Sequence, residues 1–310
     1  MTLPLAEGLT LGVQTIHRRT EPSTGRWIPS LEDGRDVVEL VDRLGFDSIW
    51  VGDHLAFSIP LLDPVVQLSQ AAVFSNRLKI GTAVFLQPLR HPGPTAKQIA
   101  TLDLLSNGRF IFGLGVGGEF ESDFSVAGVP IAERGSRLSE SIEVMRKLWS
   151  GQRVSHSGRH FQFEDILMEP SPAQHGGPPI WLGGRSDAAL RRAAQMADGW
   201  MSYVVTPDMY RESLDKIEVE YDRSGRAIEQ FASAHLLFAR LDKDYETALN
   251  AAVKSLSIRY SMDFQRAAER YCALGTAEQI AQNLQEFYEA GVRYVILDLV
   301  GPYEERLDHL

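Results

Sequence analysis

The sequence has 310 residues, 44% hydrophobic and 23% charged, with a net charge of −10 and a pI near 5.3. That balance fits a globular chain with a sizeable core, and its acidity argues against nucleic acid or an anionic membrane as the main partner. A single cysteine, Cys272, excludes an intrachain disulfide and a thiolate metal cluster.

No apolar run approaches the ~18 residues that span a bilayer. The N-terminus lacks the basic-then-apolar pattern of a signal peptide, so a cytoplasmic protein is expected. Cys272 reads as a buried structural thiol.

Residues 9–16 read as a first strand, followed by a polar loop at 17–29 with Pro22, Gly25 and Pro29. Ser30 can cap a helix from Leu31, in which Val37, Leu40, Val41 and Leu44 recur at helical spacing until Gly45 stops it. Residues 47–54 form a second strand, and Ile49, Trp50 and Val51 suit a packed, pleated setting. A helix over 63–76 leads to a third strand at 77–86. Pro92 and Pro94 open a helix that ends at Asn107-Gly108, and a fourth strand covers 109–116. Residues 117–132 read as a long loop before a helix with Leu138, Ile142, Met145 and Leu148 on one face.

The rhythm then breaks. Residues 152–178 read as an inserted hairpin and proline-rich loop. Alternation resumes with strands at 179–184, 199–204 and 230–240, a supernumerary helical stretch at 244–272, a capping box at Thr276 to Gln279, and an eighth strand at 293–300. Eight strands with intervening helices predict one (β/α)8 barrel over 1–310. The rival is a doubly wound open sheet, which the absence of Gly-x-Gly-x-x-Gly after the first strand disfavours.

In such a barrel the residues just past each strand carry the chemistry. At Asp53-His54 an imidazole able to move a proton stands beside a carboxylate. The plainer alternative is a structural acid–imidazole pair. Gly113 to Glu119 has four glycines in six positions, among them Gly117 and Gly118, which lets a ligand approach the backbone. Glu119 could donate a proton if burial raised its pKa, although a solvated loop glutamate is the alternative. Gly183-Gly184-Arg185-Ser186, at a strand-to-helix turn, suits an anion, or is simply a tight capped turn. Ala83-Val84 could floor a flat ring, or be ordinary packing. There is no His-Glu-x-x-His, no Gly-x-Ser-x-Gly and no phosphate-binding P-loop, and no metal site is expected.

Gly45 to His54, Ser106 to Gly117 and Pro179 to Gly184 together resemble the bacterial luciferase-like flavin oxidoreductase family. The likeness runs from about residue 9 to residue 300. It implies a (β/α)8 barrel that binds FMN or a deazaflavin, often as a homodimer, with a separate flavin or deazaflavin reductase as an expected partner. The Asp-His ending looks like the coenzyme F-420 (deazaflavin) branch, because FMN-using branches more often pair Glu or Thr with that His. By that resemblance His54 and Glu119 lie beside the reactive ring and Gly183-Gly184 binds the cofactor phosphate. The same resemblance implies that the Ala83-Val84 segment forms a bulge behind the ring, commonly with a cis peptide. The chain departs from the sugar-phosphate-oxidising members: Phe57 and Ser58 stand where they carry a Trp, and their phosphate-holding Lys and Arg have no evident counterparts.

The resulting expectation is hydride transfer between a small organic substrate and coenzyme F-420. His54 would handle the substrate proton, held by Asp53, with Glu119 at the ring edge. Asp53, Ala83, Val84, Gly117, Gly118, Gly183, Gly184, Arg185 and Ser186 would bind the cofactor. The alternatives are an FMNH2- and oxygen-dependent monooxygenase, and a flavin-binding barrel without turnover.

Overall fold

A computed structural model describes residues 3–14, 30–301 and 305. Its elements run β1 (Thr10–Gln14), α1 (Leu31–Arg43), β2 (Ser48–Val51), α2 (Pro64–Phe74), β3 (Lys79–Thr82), α3 (Pro92–Leu105) and β4 (Phe110–Leu114). Then come α4 (Glu121–Ala127), α5 (Arg134–Leu148), β5 (Val154–Ser157), β6 (Gln162–Ile166), β7 (Ile180–Gly183), α6 (Asp187–Met196), β8 (Gly199–Tyr203), α7 (Pro207–Ser224) and β9 (Ala232–Leu241). The chain closes with α8 (Tyr245–Tyr260), α9 (Gln265–Tyr271), β10 (Ala273–Gly275), α10 (Ala277–Glu289) and β11 (Tyr294–Leu299).

Strands β1, β2, β3, β4, β7, β8, β9 and β11 pair in parallel, and β11 returns to β1, so the ring of eight is closed. The expected barrel is therefore present. Strands β5 and β6 pair only with each other. The expected ends of the first strand at 15–16, and the loop at 17–29, lie outside the described residues.

Helix starts follow local chemistry. The Ser30 hydroxyl accepts the N–H of Glu32 at 3.0 Å, and Gln279 Oε1 accepts the Thr276 N–H at 2.9 Å. Two short elements depart from expectation. The segment 117–132 is not one loop but holds α4 and a 3-10 turn at Ile131–Glu133. The three-residue β10 adds to β9 outside the ring. Both are too short for a periodic signal.

Alternation along each strand sorts the side chains. Outward residues such as Val13, Ile49, Val51, Ile80 and Phe112 join the helices in the main core. Inside, the buried Trp50 and Trp181 rings lie 5.3 Å apart, and Trp181 meets Tyr294 at 4.9 Å. The strands beside them carry glycine. A Cβ on Gly81 would stand 2.3 Å from the Trp50 ring, and one on Gly12 would stand 2.6 Å from the same indole. Bulk on one strand thus requires its absence on the next. Gly81→Ala should destabilise the fold by about 1–3 kcal/mol through overpacking, read as a lower urea midpoint at unchanged slope.

Candidate active site

Above the indoles the interior opens into a pocket at the C-terminal ends of the strands. Inward-facing Gln14, Gly52, Ala83, Gly115, Gly183 and Asp298 line it, with Phe57, Leu61, Phe238 and Tyr260 on its upper wall. A larger cleft of about 1240 Å3, against about 210 Å3 here, opens among residues at the opposite strand ends, including Lys79 and Asp198. Size alone would choose that end, whereas barrel chemistry belongs at the C-terminal ends.

The pocket's back wall is the segment after β3, where the Ala83–Val84 peptide is cis. The Val84 side chain fills space left by glycines: a Cβ on Gly115 would stand 2.4 Å from Val84 Cγ2, and one on Gly183 would stand 3.2 Å from Cγ1. Gly117 and Gly118 turn the chain away from β4 with φ of +64° and +110°, a region that L side chains rarely adopt. Gly184, at φ +121°, does the same after β7.

Asp53 and His54 both line the pocket but point to different partners. The buried Asp53 carboxylate accepts Arg90 Nη1 and Nη2 at 2.5 and 2.9 Å and the Leu86 N–H at 2.9 Å. It ties the end of β2 to the chain beyond the bulge. The expectation that Asp53 holds His54 is therefore corrected, since consecutive side chains on an extended chain diverge. The partner of His54 is Asp123 on α4, whose Oδ2 lies 2.7 Å from Nδ1. Asp123 Oδ1 accepts the N–H groups of Leu55 and Ala56, each at 2.8 Å. Burial alone would raise the Asp123 pKa, but the His54 contact and the two N–H groups together hold it below the ordinary value. The His54 ring stacks on Phe57 at 4.2 Å and meets the edge of Phe120 at 5.4 Å.

Glu119 stands exposed at the pocket rim, yet protein surrounds its other sides. Lost hydration pushes its carboxyl up, against the opposing charges of His54 and Arg185. Gly183 and Gly184 line the pocket, whereas Arg185 and Ser186 stand outside its wall. The Arg185 guanidinium donates to the Val204 carbonyl at 2.8 Å and lies over the Tyr203 ring. The Ser186 hydroxyl caps α6 through the Ala189 N–H at 3.3 Å. Behind the pocket, buried Arg259 pairs with Asp298 at 3.0 Å. Asp298 falls within the expected eighth strand at 293–300, but no motif or strand end marked Arg259 or Asp123. Cys272 is half-buried away from the pocket lining, its thiol pushed up to about 12 by burial. No cluster of three metal-ligating side chains occurs among the described residues, and no described helix is long and apolar enough to cross a membrane.

Arg90→Ala should cost about 3–5 kcal/mol, because it leaves the Asp53 carboxylate buried without its counter-ion; thermal and urea denaturation read this directly. Glu119→Gln should act in the opposite sense. A folded-state pKa raised above the unfolded value of about 4.3 gives stability that is full below that pH and is lost as pH rises through the raised value. The variant should therefore gain on the parent as pH climbs from about 4 to neutrality, measured by urea midpoints across that range.

The model of the luciferase-like monooxygenase family matches residues 10–294. An F-420-dependent glucose-6-phosphate dehydrogenase of Microbacterium testaceum (strain StLB037) is 25% identical over 300 residues, covering 86% of this chain and 87% of that protein. The oxygenase component of a flavin-dependent trigonelline monooxygenase from Acinetobacter baylyi (strain ATCC 33305 / BD413 / ADP1) is 26% identical over 230 residues, 73% of this chain and 63% of that one. In fold, the chain resembles an F-420-dependent secondary alcohol dehydrogenase solved with an F-420–acetone adduct, with a TM-score of 0.84 at 20% identity and 97% of each chain covered. With the family's model spanning the barrel from β1 to the start of β11, this chain belongs to the luciferase-like monooxygenase family.

Proposed function

We propose that the chain is a coenzyme F-420-dependent oxidoreductase that exchanges a hydride with a small organic substrate at the pocket above the indoles. The observation that carries this reading is the convergence of His54 and Glu119 on a pocket backed by the Ala83–Val84 segment and walled by Gly115, Gly183 and Gly184. Its assignment to the deazaflavin branch draws on the F-420-dependent relative, which matches over most of both chains.

The residues present fit a flat heterocycle. Glycines let it approach the backbone. Gln14 Oε1, buried at the base of the pocket, has no hydrogen-bond partner and suits a ring N–H. The Gly183-Gly184 turn into α6 offers backbone N–H groups to a phosphate, with Arg185 just outside the wall over Tyr203. Asp187, the first residue of that helix, is paired with Lys216 at 2.9 Å, which offsets its charge.

When bound, the deazaflavin supplies the hydride acceptor or donor. His54 does the proton work: in oxidation it takes the proton of the substrate hydroxyl, and in reduction it returns it. Glu119, whose carboxyl lost hydration pushes toward its neutral form, gives a hydrogen bond or proton at the ring edge. Asp53 acts one step back, holding the β2 end and the segment after the bulge in register. Exposed Val66 and Val73 on α2 and Leu104 and Leu105 on α3 support a homodimer, and a cytoplasmic setting fits the single cysteine.

The second reading is a reduced-FMN, oxygen-dependent monooxygenase that works with a separate reductase. It is supported by the family's description and by the likeness to an oxygenase component. Titration with reduced coenzyme F-420 and with reduced FMN separates the two: the deazaflavin should quench tryptophan fluorescence at micromolar concentration and FMN should not. Quenching by FMN alone, with oxygen uptake, would replace the first reading by the second. His54→Ala should keep cofactor affinity and lose about 10²–10⁴-fold in turnover; that outcome argues against a non-catalytic barrel, whereas full turnover in the variant would remove the catalytic assignment of His54.

A further inference from the structure

We propose that Asp123 is the positioning residue that fixes which nitrogen of His54 carries a proton, leaving Nε2 as the nitrogen that serves the pocket. The inference rests on His54 being the proton-handling group.

The argument begins with the carboxylate. The Asp123 side chain is 2% exposed. One oxygen is used by the Leu55 and Ala56 N–H groups, and the other faces His54 Nδ1 at 2.7 Å. Two backbone N–H donors on one buried carboxylate favour its ionised form, and an ionised carboxylate only accepts. Nδ1 must therefore be the protonated nitrogen, so the neutral ring offers the Nε2 lone pair. When Nε2 takes a proton, the adjacent anion stabilises the imidazolium.

The setting leaves the ring few alternatives. Phe57 covers one face of His54 and Phe120 closes an edge, so neither offers a competing acceptor. Ser122 Oγ donates to the Ala56 carbonyl at 3.0 Å, so α4 and the chain after β2 clamp each other through both side chains. The other ionisable groups lining the same pocket are Asp53, committed to Arg90, Asp298, paired with Arg259, Glu119 from the turn after β4, Tyr203 from β8 and Tyr260 from α8. Glu119, pushed toward its neutral form, and Asp123, held in its ionised form, are thus driven apart by their surroundings. Divergence of that kind separates an acid from an orienting base partner.

The test uses three full-length variants and a readout that needs no cofactor. In 15N-histidine-labelled protein, with His54→Gln to assign the signal, His54 should show the Nδ1–H tautomer. Asp123→Asn keeps an oxygen for the Leu55 and Ala56 N–H groups but removes the charge. It should mix the tautomers and, with the adjacent anion gone, move uptake of the ring's second proton to lower pH. The acid limb of kcat/KM for alcohol oxidation should move by the same amount, with cofactor affinity retained. Ser122→Ala breaks the neighbouring clamp only and should leave tautomer and titration as in the parent.

An Nε2–H tautomer in the parent would overturn the proposal. So would an unmoved titration in Asp123→Asn, or an equal shift in Ser122→Ala. If the nitrogen signals behave as expected while no deazaflavin or flavin is turned over, the positioning role stands and the proposed function fails.

Discussion

Two indole rings inside a ring of eight strands set the terms for the rest of the molecule. Trp50 and Trp181 fill the barrel's lower interior, and each leaves neighbouring strands no space for a side chain. A Cβ on Gly12 or Gly81 would collide with Trp50, and one on Gly199 would stand 2.8 Å from Trp181. With the lower layer solid, the upper layer can stay open. The pocket is what remains when small inward residues, Gly52, Ala83, Gly115 and Gly183, continue above the indoles. Stability and cavity are therefore stacked along one axis rather than competing for the same volume.

The barrel was legible because its strands and long helices carry strong, regular signals: apolar runs ended by glycine, capping serine or threonine, and proline at helix starts. The pocket's glycines and His54 were legible for the related reason that strand ends are visible in sequence. Asp123 was not. It lies 69 residues from His54, on a helix of seven residues with no capping side chain, between a glycine run and Pro130. Its only local trace is the Phe120–Phe124 spacing and Gly128, which stops α4 at φ +66°. The sequence instead offered Asp53, adjacent to His54, and adjacency misleads on an extended chain because neighbouring side chains face apart. Arg259 escaped for a similar reason: an arginine near the end of a helix normally reads as solvated, and its partner Asp298 is 39 residues on, in β11.

Electrostatically the site sorts its carboxylates by what surrounds them. Asp53 has a guanidinium and an N–H group, Asp123 has an imidazole and two N–H groups, and Asp298 has a buried arginine. Glu119 loses water, which pushes its carboxyl up against the opposing charges of His54 and Arg185. Three carboxylates are therefore anchored, and one at the rim is pushed toward its neutral form. The same functional group acquires different chemistry without any change in the backbone plan.

The stretch between β9 and α10 has a wider meaning. The chain leaves the barrel at Asp242 and rejoins at Gly275, and the Asp242 N–H donates to the Gly275 carbonyl at 2.8 Å. Strand β10 lies along β9 where the loop closes. Between these two points α8 delivers Tyr260 to the pocket wall, and Ser58 reaches across to the Arg259 carbonyl. An excursion that starts and finishes at one place can change length at little cost in loop closure. What it cannot shed is Arg259, which α8 brings to the buried Asp298 of β11. The upper wall of the pocket is thus free to vary in its lining and tied to the barrel at one charge pair.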